Sequence, residues 1–346
     1  MPFQRRDFLA AAAASAALGL VPAAARAQAL EKNAVTIAVG GKSLIYYLPL
    51  SIAERQGYFK DEGLDVTIID FAGGSRALQA VVGGSADVVS GAFEHTVSML
   101  AKRQAMRAFV LQGRAPQVVL AVSNKTMPGF KSVADLKGKK IGVTAPGSST
   151  QIMANFVLAK AGLKPSDVSY IGVGATQGAV AALRSGQIDA IANVDPVITM
   201  LERSGDIRVV SDTRDVAESE RVFGGPMPAG TLYAPSAFVA KNPATVQALT
   251  HAIVRADQWI QKAGPADIVK AVPEAYLLGD RAVYIDCYLK ARSALSPDGL
   301  FPAQGAETAF RALASVDAKL GRKKLDLAQT FTNEFVKKAL IKHPRA

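Results

Sequence analysis

Residues 139–163, KKIGVTAPGSSTQIMANFVLAKAGL, read as a strand, a tight loop and a helix in immediate succession. Residues 141–144 form a short apolar run with β-branched members, and Pro146-Gly147 interrupts it. Ser148 or Ser149 can then cap a helix whose apolar stripe is Ile152, Met153, Phe156 and Val157. Gly162 supplies a left-handed stop. A helix start rich in hydroxyls turns unpaired backbone N–H groups and side-chain donors outward, which suits a small anionic or polar ligand. Capping alone also accounts for the serines, so both readings stand.

The same unit recurs outward from this stretch. From Ala34 onward strand-like and helix-like segments alternate, the pattern of α/β layers with a largely parallel sheet. Gly40-Gly41-Lys42-Ser43 follows the first strand but is no phosphate loop, since that motif needs glycine where Thr36 stands and a helix directly after Ser43. Residues 66–70 lead into Gly73-Gly74-Ser75 and a further helix. The segments 80–87 (AVVGGSAD) and 182–189 (ALRSGQID) share one order, helix end, glycine, aspartate, strand, which predicts two lobes of similar topology. The apolar runs 118–123 and 231–235 are candidates for the strands joining them. Residues 212–229, rich in charge, Gly and Pro, have no clear period and are expected as surface loop, and the chain after Pro243 reads as helical.

Composition narrows the function. Of 346 residues 49% are hydrophobic and 20% charged, ample for two domains and unlike a disordered chain. The net charge is +11; Arg5, Arg6 and Arg26 against Asp7 account for +2 of it, leaving +9 on the rest. Those basic residues are dispersed, without the spacing of a nucleic-acid module, so no nucleic-acid partner is expected. Cys287 stands alone, which excludes an internal disulfide or a cysteine metal cluster, and His95, His251 and His343 show no ligand spacing. No metal and no cofactor are expected. Residues 1–27 carry Arg5-Arg6-Asp7-Phe8-Leu9, an alanine-rich apolar run and Ala25-Arg26-Ala27, which resembles a twin-arginine export signal cleaved after Ala27. A periplasmic protein is the expectation.

Four segments in order, YFKDEGLDV (58–66), LKGKKIGV (136–143), PGSS (146–149) and NVDP (193–196), are similar to the periplasmic solute-binding proteins of ABC importers of the nitrate, sulfonate, taurine and thiamine-precursor type. The likeness spans almost the whole mature chain. It implies an α/β, two-lobed periplasmic binding protein fold (type II-like), each lobe a mostly parallel sheet flanked by helices, with two crossing strands. Residues 28–120 and 233–346 would form the first lobe and 121–232 the second. Such a monomer captures one small-molecule solute between its lobes and delivers it to an ABC permease in the inner membrane, without catalysis.

The cleft loops implied by the likeness carry Gly41, Ser43 and one of Tyr46 and Tyr47, then Gly74 and Ser75, then Ser148, Ser149 and Thr150, and finally Asp195. Asp195 reads equally as a cap for the helix begun by Pro196. Sulfonate binders of this kind tend to carry small polar residues where this chain has Phe93 and Glu94. A ligand-facing Glu94 points from a nitrate or sulfonate toward an amine or a heterocycle with N–H donors, with Phe93 against a planar ring; a Glu94 serving only the helix dipole leaves the solute open. Two alternatives accompany this reading. Relatives on the fold include pyrimidine-precursor synthases, but their cysteine-rich iron site has no counterpart here, and no nucleophile or metal-hydrolase motif is present. The other is a periplasmic sensor subunit.

Overall fold

The computed structural model describes residues 29–277 and 279–344. The expected export signal lies outside the described residues. Among the described residues ten strands are formed in chain order: β1 Ala34–Val39, β2 Asp65–Asp70, β3 Val88–Ala92, β4 Met106–Leu111, β5 Val119–Ser123, β6 Lys140–Val143, β7 Ser169–Gly172, β8 Ala190–Asn193, β9 Ile207–Asp212 and β10 Gly230–Pro235. They build two five-stranded sheets, β2-β1-β3-β10-β4 and β7-β6-β8-β5-β9. In each sheet the fourth strand in this order, β10 or β5, runs antiparallel to both its neighbours while the other pairings are parallel. One topology is thus used twice. Both sheets belong to the compact unit that starts at Glu31.

The repeat seen in the sequence has a structural cause. The helix Gly74–Val82 ends before Asp87, which accepts Thr36 N–H on its carboxylate at 2.9 Å and returns its own N–H to Thr36 O at 2.9 Å. The helix Gln177–Ser185 ends before Asp189, which does the same to Lys140 at 3.0 and 2.8 Å. Each aspartate clamps the start of the neighbouring parallel strand, so β1 and β6 enter their sheets in matching register. β3 and β5 are buried throughout, as strands covered on both faces are, whereas β2 and β7 are partly exposed edges.

The chain passes between the sheets in residues 112–118 and 213–229. These two passages bond to each other: Gln117 N–H donates to Thr213 O at 3.0 Å, Thr213 N–H to Val118 O at 3.1 Å, and Ala229 N–H to Gly113 O at 2.9 Å. Gln117 adopts φ 57°, a left-handed conformation that a non-glycine residue takes at a cost. The runs 118–123 and 231–235, expected to be the crossing strands, are instead in-sheet strands β5 and β10, because an apolar run long enough to cross is also long enough to pair. Lobe boundaries at 120/121 and 232/233 would therefore cut through both strands.

Two further expectations are corrected. Residues 212–229 contain the helix Val216–Phe223, started by the Asp215 carboxylate accepting Ala217 and Glu218 N–H, with Phe223 stacked 4.8 Å from Phe156. Eight residues are too few to reveal a period. The C-terminal helices, assigned to the first lobe, also touch the second: Arg281–Ala291 packs on Val197–Arg203, and Gly305–Val316 on Ser149–Lys160. Among the described residues no helix is long and apolar enough to cross a membrane.

Candidate functional site

Helix Ser149–Lys160 begins as its sequence predicts, and Gly162 ends it at φ 78°. Its buried face is Thr150, Met153, Ala154, Phe156 and Leu158, with Ile152 and Val157 only half-buried, so the expected stripe is rotated. Ser148 occupies the N-cap position without a side-chain capping bond. Its hydroxyl reaches the other lobe instead: Ser75 N–H donates to Ser148 Oγ at 3.0 Å, Ser148 Oγ donates to Ser75 Oγ at 3.1 Å, and Ser75 Oγ donates to Pro146 O at 2.9 Å. Two helix starts from different sheets are joined by their serines. Ile45 N–H adds a longer inter-lobe bond of 3.4 Å to Asp195 O.

Between these contacts lies a cavity of about 30 Å³, room for two or three water molecules at roughly 10–15 Å³ each. Its walls are Gly40 just past β1, Leu44, Tyr46 and Tyr47, Gly74, Ala92 at the end of β3 and His95 beyond it, Val118 in the first passage, Thr144 beyond β6, Ser148 to Thr150, and Val194 beyond β8. These positions cluster at the carboxyl ends of parallel strands, where open α/β sheets bind ligands. Gly40 is tightly constrained, since a Cβ there would stand 2.3 Å from the Gly73 carbonyl carbon.

Several expected residues line the cavity and several do not. Tyr46 and Tyr47 both do, although adjacent residues were expected to diverge: they share the 3-10 turn Ile45–Tyr47, with rings 4.8 Å apart and 77° inclined. Gly74, Ser148, Ser149 and Thr150 also line it, and Thr150 Oγ1 accepts Thr144 N–H at 3.1 Å. Gly41 does not, because its N–H and that of Lys42 are both taken by the Asp70 carboxylate, at 2.8 and 2.9 Å. Ser43 is likewise outside the wall, and Ser75 serves the latch. Phe93 is core, packed against Phe301 and Phe331 at 5.6 and 6.1 Å.

Asp195 is also turned away. One carboxylate oxygen accepts Thr199 N–H at 2.8 Å, the capping reading, and the other lies 3.4 Å from Arg214. Arg214 in turn binds Glu202 at 2.8 Å and Asp212 at 2.5 Å. Burial pushes the Asp195 carboxyl above the usual range, against the pull of Arg214.

The sequence reading missed His95, which faces the cavity one residue beyond Glu94. Its Nδ1 is 3.2 Å from Tyr233 Oη, while Nε2 has no hydrogen-bond partner in the protein. Burial holds the imidazole below its ordinary range, opposed by Glu94, and keeps it neutral near pH 7. Glu94 is 1% exposed, and its Oε1 is also unpartnered, as are Tyr46 Oη and Ser149 Oγ. Burial first, then the Glu94 carboxylate, raise the Tyr46 and Tyr47 phenols well above their usual range. Three of these unpartnered atoms, on Tyr46, His95 and Ser149, belong to residues that line the cavity, whereas Glu94, one position from His95, is not part of its wall; buried polar groups are normally paired, so the three make this the candidate ligand site. No Lys or Arg is among the lining residues.

Two sheets of one topology, two passages between them and a cavity at the strand ends define a two-lobed periplasmic binding protein fold. The chain belongs to the NMT1/THI5-like family, whose model matches residues 45–265. A solved structure from Bordetella bronchiseptica RB50 is 65% identical, covers 92% of this chain and 100% of that one, and superposes with TM-score 0.89. The periplasmic nitrate-binding protein NrtA from Synechocystis PCC 6803 shares the fold at TM-score 0.70, with 15% identity over 91% of this chain and 90% of its own. A Brucella abortus (strain 2308) relative, provisionally named as a binding protein, is 31% identical over 260 residues, 74% of each chain. An Aspergillus parasiticus relative named 4-amino-5-hydroxymethyl-2-methylpyrimidine phosphate synthase is 26% identical over 239 residues, 67% of this chain and 68% of its own.

Proposed function

We propose that this chain is the solute-binding component of an ABC importer, exported to the periplasm, where it closes on one small solute and delivers it to an inner-membrane permease. The solute is an amine or an N–H-bearing heterocycle of the aminopyrimidine class. The observation that carries this choice is the buried Glu94 carboxylate with an unpartnered oxygen, next to cavity residues Ala92 and His95, with no cationic side chain in the wall. An anion there would lie close to a buried carboxylate, attracted by helix starts worth about half a charge each, one of whose amides, Ser75 N–H, is already taken. A donor-bearing ring would give Glu94 and Ser149 partners and lie against Tyr46 and Tyr47.

Calorimetric titration of residues 28–346 with amines, aminopyrimidines, sulfonates and nitrate tests this. A donor-bearing ligand binds, and Glu94→Gln weakens it by about thirtyfold, near 2 kcal/mol, as expected for a hydrogen bond to a charged group. Tight nitrate or sulfonate binding that Glu94→Gln strengthens overturns the ligand class. The second reading, an enzyme acting on such a pyrimidine, rests on the name of the fungal relative and the buried His95–Tyr233 pair. Chemical conversion of a bound pyrimidine by the purified protein would favour it.

A further inference from the structure

We propose that Glu62, His251 and His343 form a site for a divalent transition metal of the zinc class, separate from the solute cavity, none of whose walls they share. The three residues come from distant parts of the chain: the turn after the helix Tyr58–Asp61, the helix Pro243–Lys262, and the residue following the helix Glu334–Lys342. Sequence spacing had no means of showing them as a set.

The donor atoms all lie within 4.8 Å of one another. Glu62 Oε2 is 2.8 Å from His251 Nδ1, Glu62 Oε1 is 3.6 Å from His343 Nε2, and the imidazole rings stand 5.4 Å apart at 78°. Ligand atoms on one tetrahedral zinc, bonded at about 2.0–2.2 Å, are roughly 3.3–3.5 Å apart, so small side-chain shifts gather the set. His343 Nε2 carries the second observation: it is buried, has no hydrogen-bond partner, and sits just too far from Glu62 to bond it directly. Two imidazoles and one carboxylate, with a fourth position for water, suit zinc far better than magnesium or calcium, which take oxygen ligands.

A cation already leans on this centre. The Lys342 ammonium is 2.7 Å from Glu62 Oε2 and 3.3 Å from His251 Nδ1, about where a dication would sit. Its side chain is half exposed on a flexible stem and can swing into water. Arg255 stays further off, 3.9 Å from Glu62 Oε1, occupied by Asp61 at 2.8 Å and lying 4.1 Å over the Tyr58 ring. Lys342 is therefore the competitor that a metal displaces.

The test is titration of untagged, chelator-treated residues 28–346 with zinc chloride, magnesium chloride serving as control. One equivalent of zinc binds; His343→Ala weakens it at least about tenfold, and Lys342→Met tightens it about tenfold, each step near 1.4 kcal/mol. Solute binding is unchanged in both variants, which separates this site from the cleft. Absence of zinc binding, or zinc binding indifferent to His343→Ala, overturns the proposal. So does a Lys342→Met variant that binds zinc more weakly, because the cluster would then be an ion-pair network only.

Discussion

The two sheets place equivalent residues at equivalent points and then give them different chemistry. Aligning Asp87 with Asp189, the two clamping aspartates, brings Ala92 onto Val194 and Phe93 onto Asp195. Ala92 and Val194 both line the cavity, and Phe93 and Asp195 both turn away from it. Phe93 anchors its loop in a cluster with Phe301 and Phe331, Asp195 in an ionic knot around Arg214. The backbone frame decides which position lines and which anchors; the side chain decides only the means. The cavity is divided in the same way, with aromatic and ionisable groups from the first sheet's loops and hydroxyls from the second's.

The sharpest way to break this comparison is to remove each anchor. Arg214→Met leaves the buried Asp195 uncompensated and costs about 3–5 kcal/mol, the usual price of breaking a buried pair. Phe93→Ala costs about the same through lost burial and a cavity. Denaturant unfolding across pH distinguishes the mechanisms. An unpaired buried Asp195 has a folded pKa above its unfolded value near 3.9, so its penalty is absent below about pH 4 and grows as pH rises. The Arg214→Met deficit therefore shrinks at acid pH, while that of Phe93→Ala does not. Equal pH dependence in both variants breaks the distinction between an ionic and an apolar anchor.

Asp257 sharpens the comparison from within the first lobe's long helix. It is fully buried, neither carboxyl oxygen has a partner, and burial pushes its carboxyl well above the usual range. One lobe thus pairs its buried aspartate with an arginine, and the other leaves a buried aspartate without a partner. A raised folded pKa means that stability is greatest below about pH 4 and falls as pH rises toward the folded value. Asp257→Asn adds about 1–2 kcal/mol at pH 7 and flattens that slope, read by thermal unfolding at several pH values.

The smallest effect lies where the lobes meet. Ser148→Ala removes two inter-lobe hydrogen bonds and lowers stability by about 1 kcal/mol, whereas Ser149→Ala stays within about 0.5 kcal/mol and weakens solute binding instead. Melting curves and calorimetry on the two variants check the pair; the same effect from both would merge latch and ligand contact.

Much of the frame was legible from local pattern. The strand-loop-helix of residues 139–163, the glycine stop at Gly162 and the repeated aspartate units follow from periodicity and turn chemistry, which act over a few residues. Glu94 drew notice as a carboxylate in a loop expected at the cleft. His95 carries no spacing signal as an isolated histidine, and neighbouring helical residues such as Glu94 and His95 seldom converge on one ligand; the acceptor that takes the Gly41 N–H, Asp70, lies on another strand, where no local pattern shows it.

By itself, then, the sequence determined the α/β alternation, the doubling of one unit and the family likeness, all properties that neighbouring residues encode. Only the tertiary structure decided that Tyr46 and Tyr47 face the cavity together and that Ser148 latches Ser75 instead of capping its own helix. It alone turned Asp195 toward Arg214 and brought Glu62, His251 and His343 to one point. The physical reason is that a side chain's element is set by residues three or four positions away, whereas its partner arrives from a distant part of the chain through packing that no local pattern records.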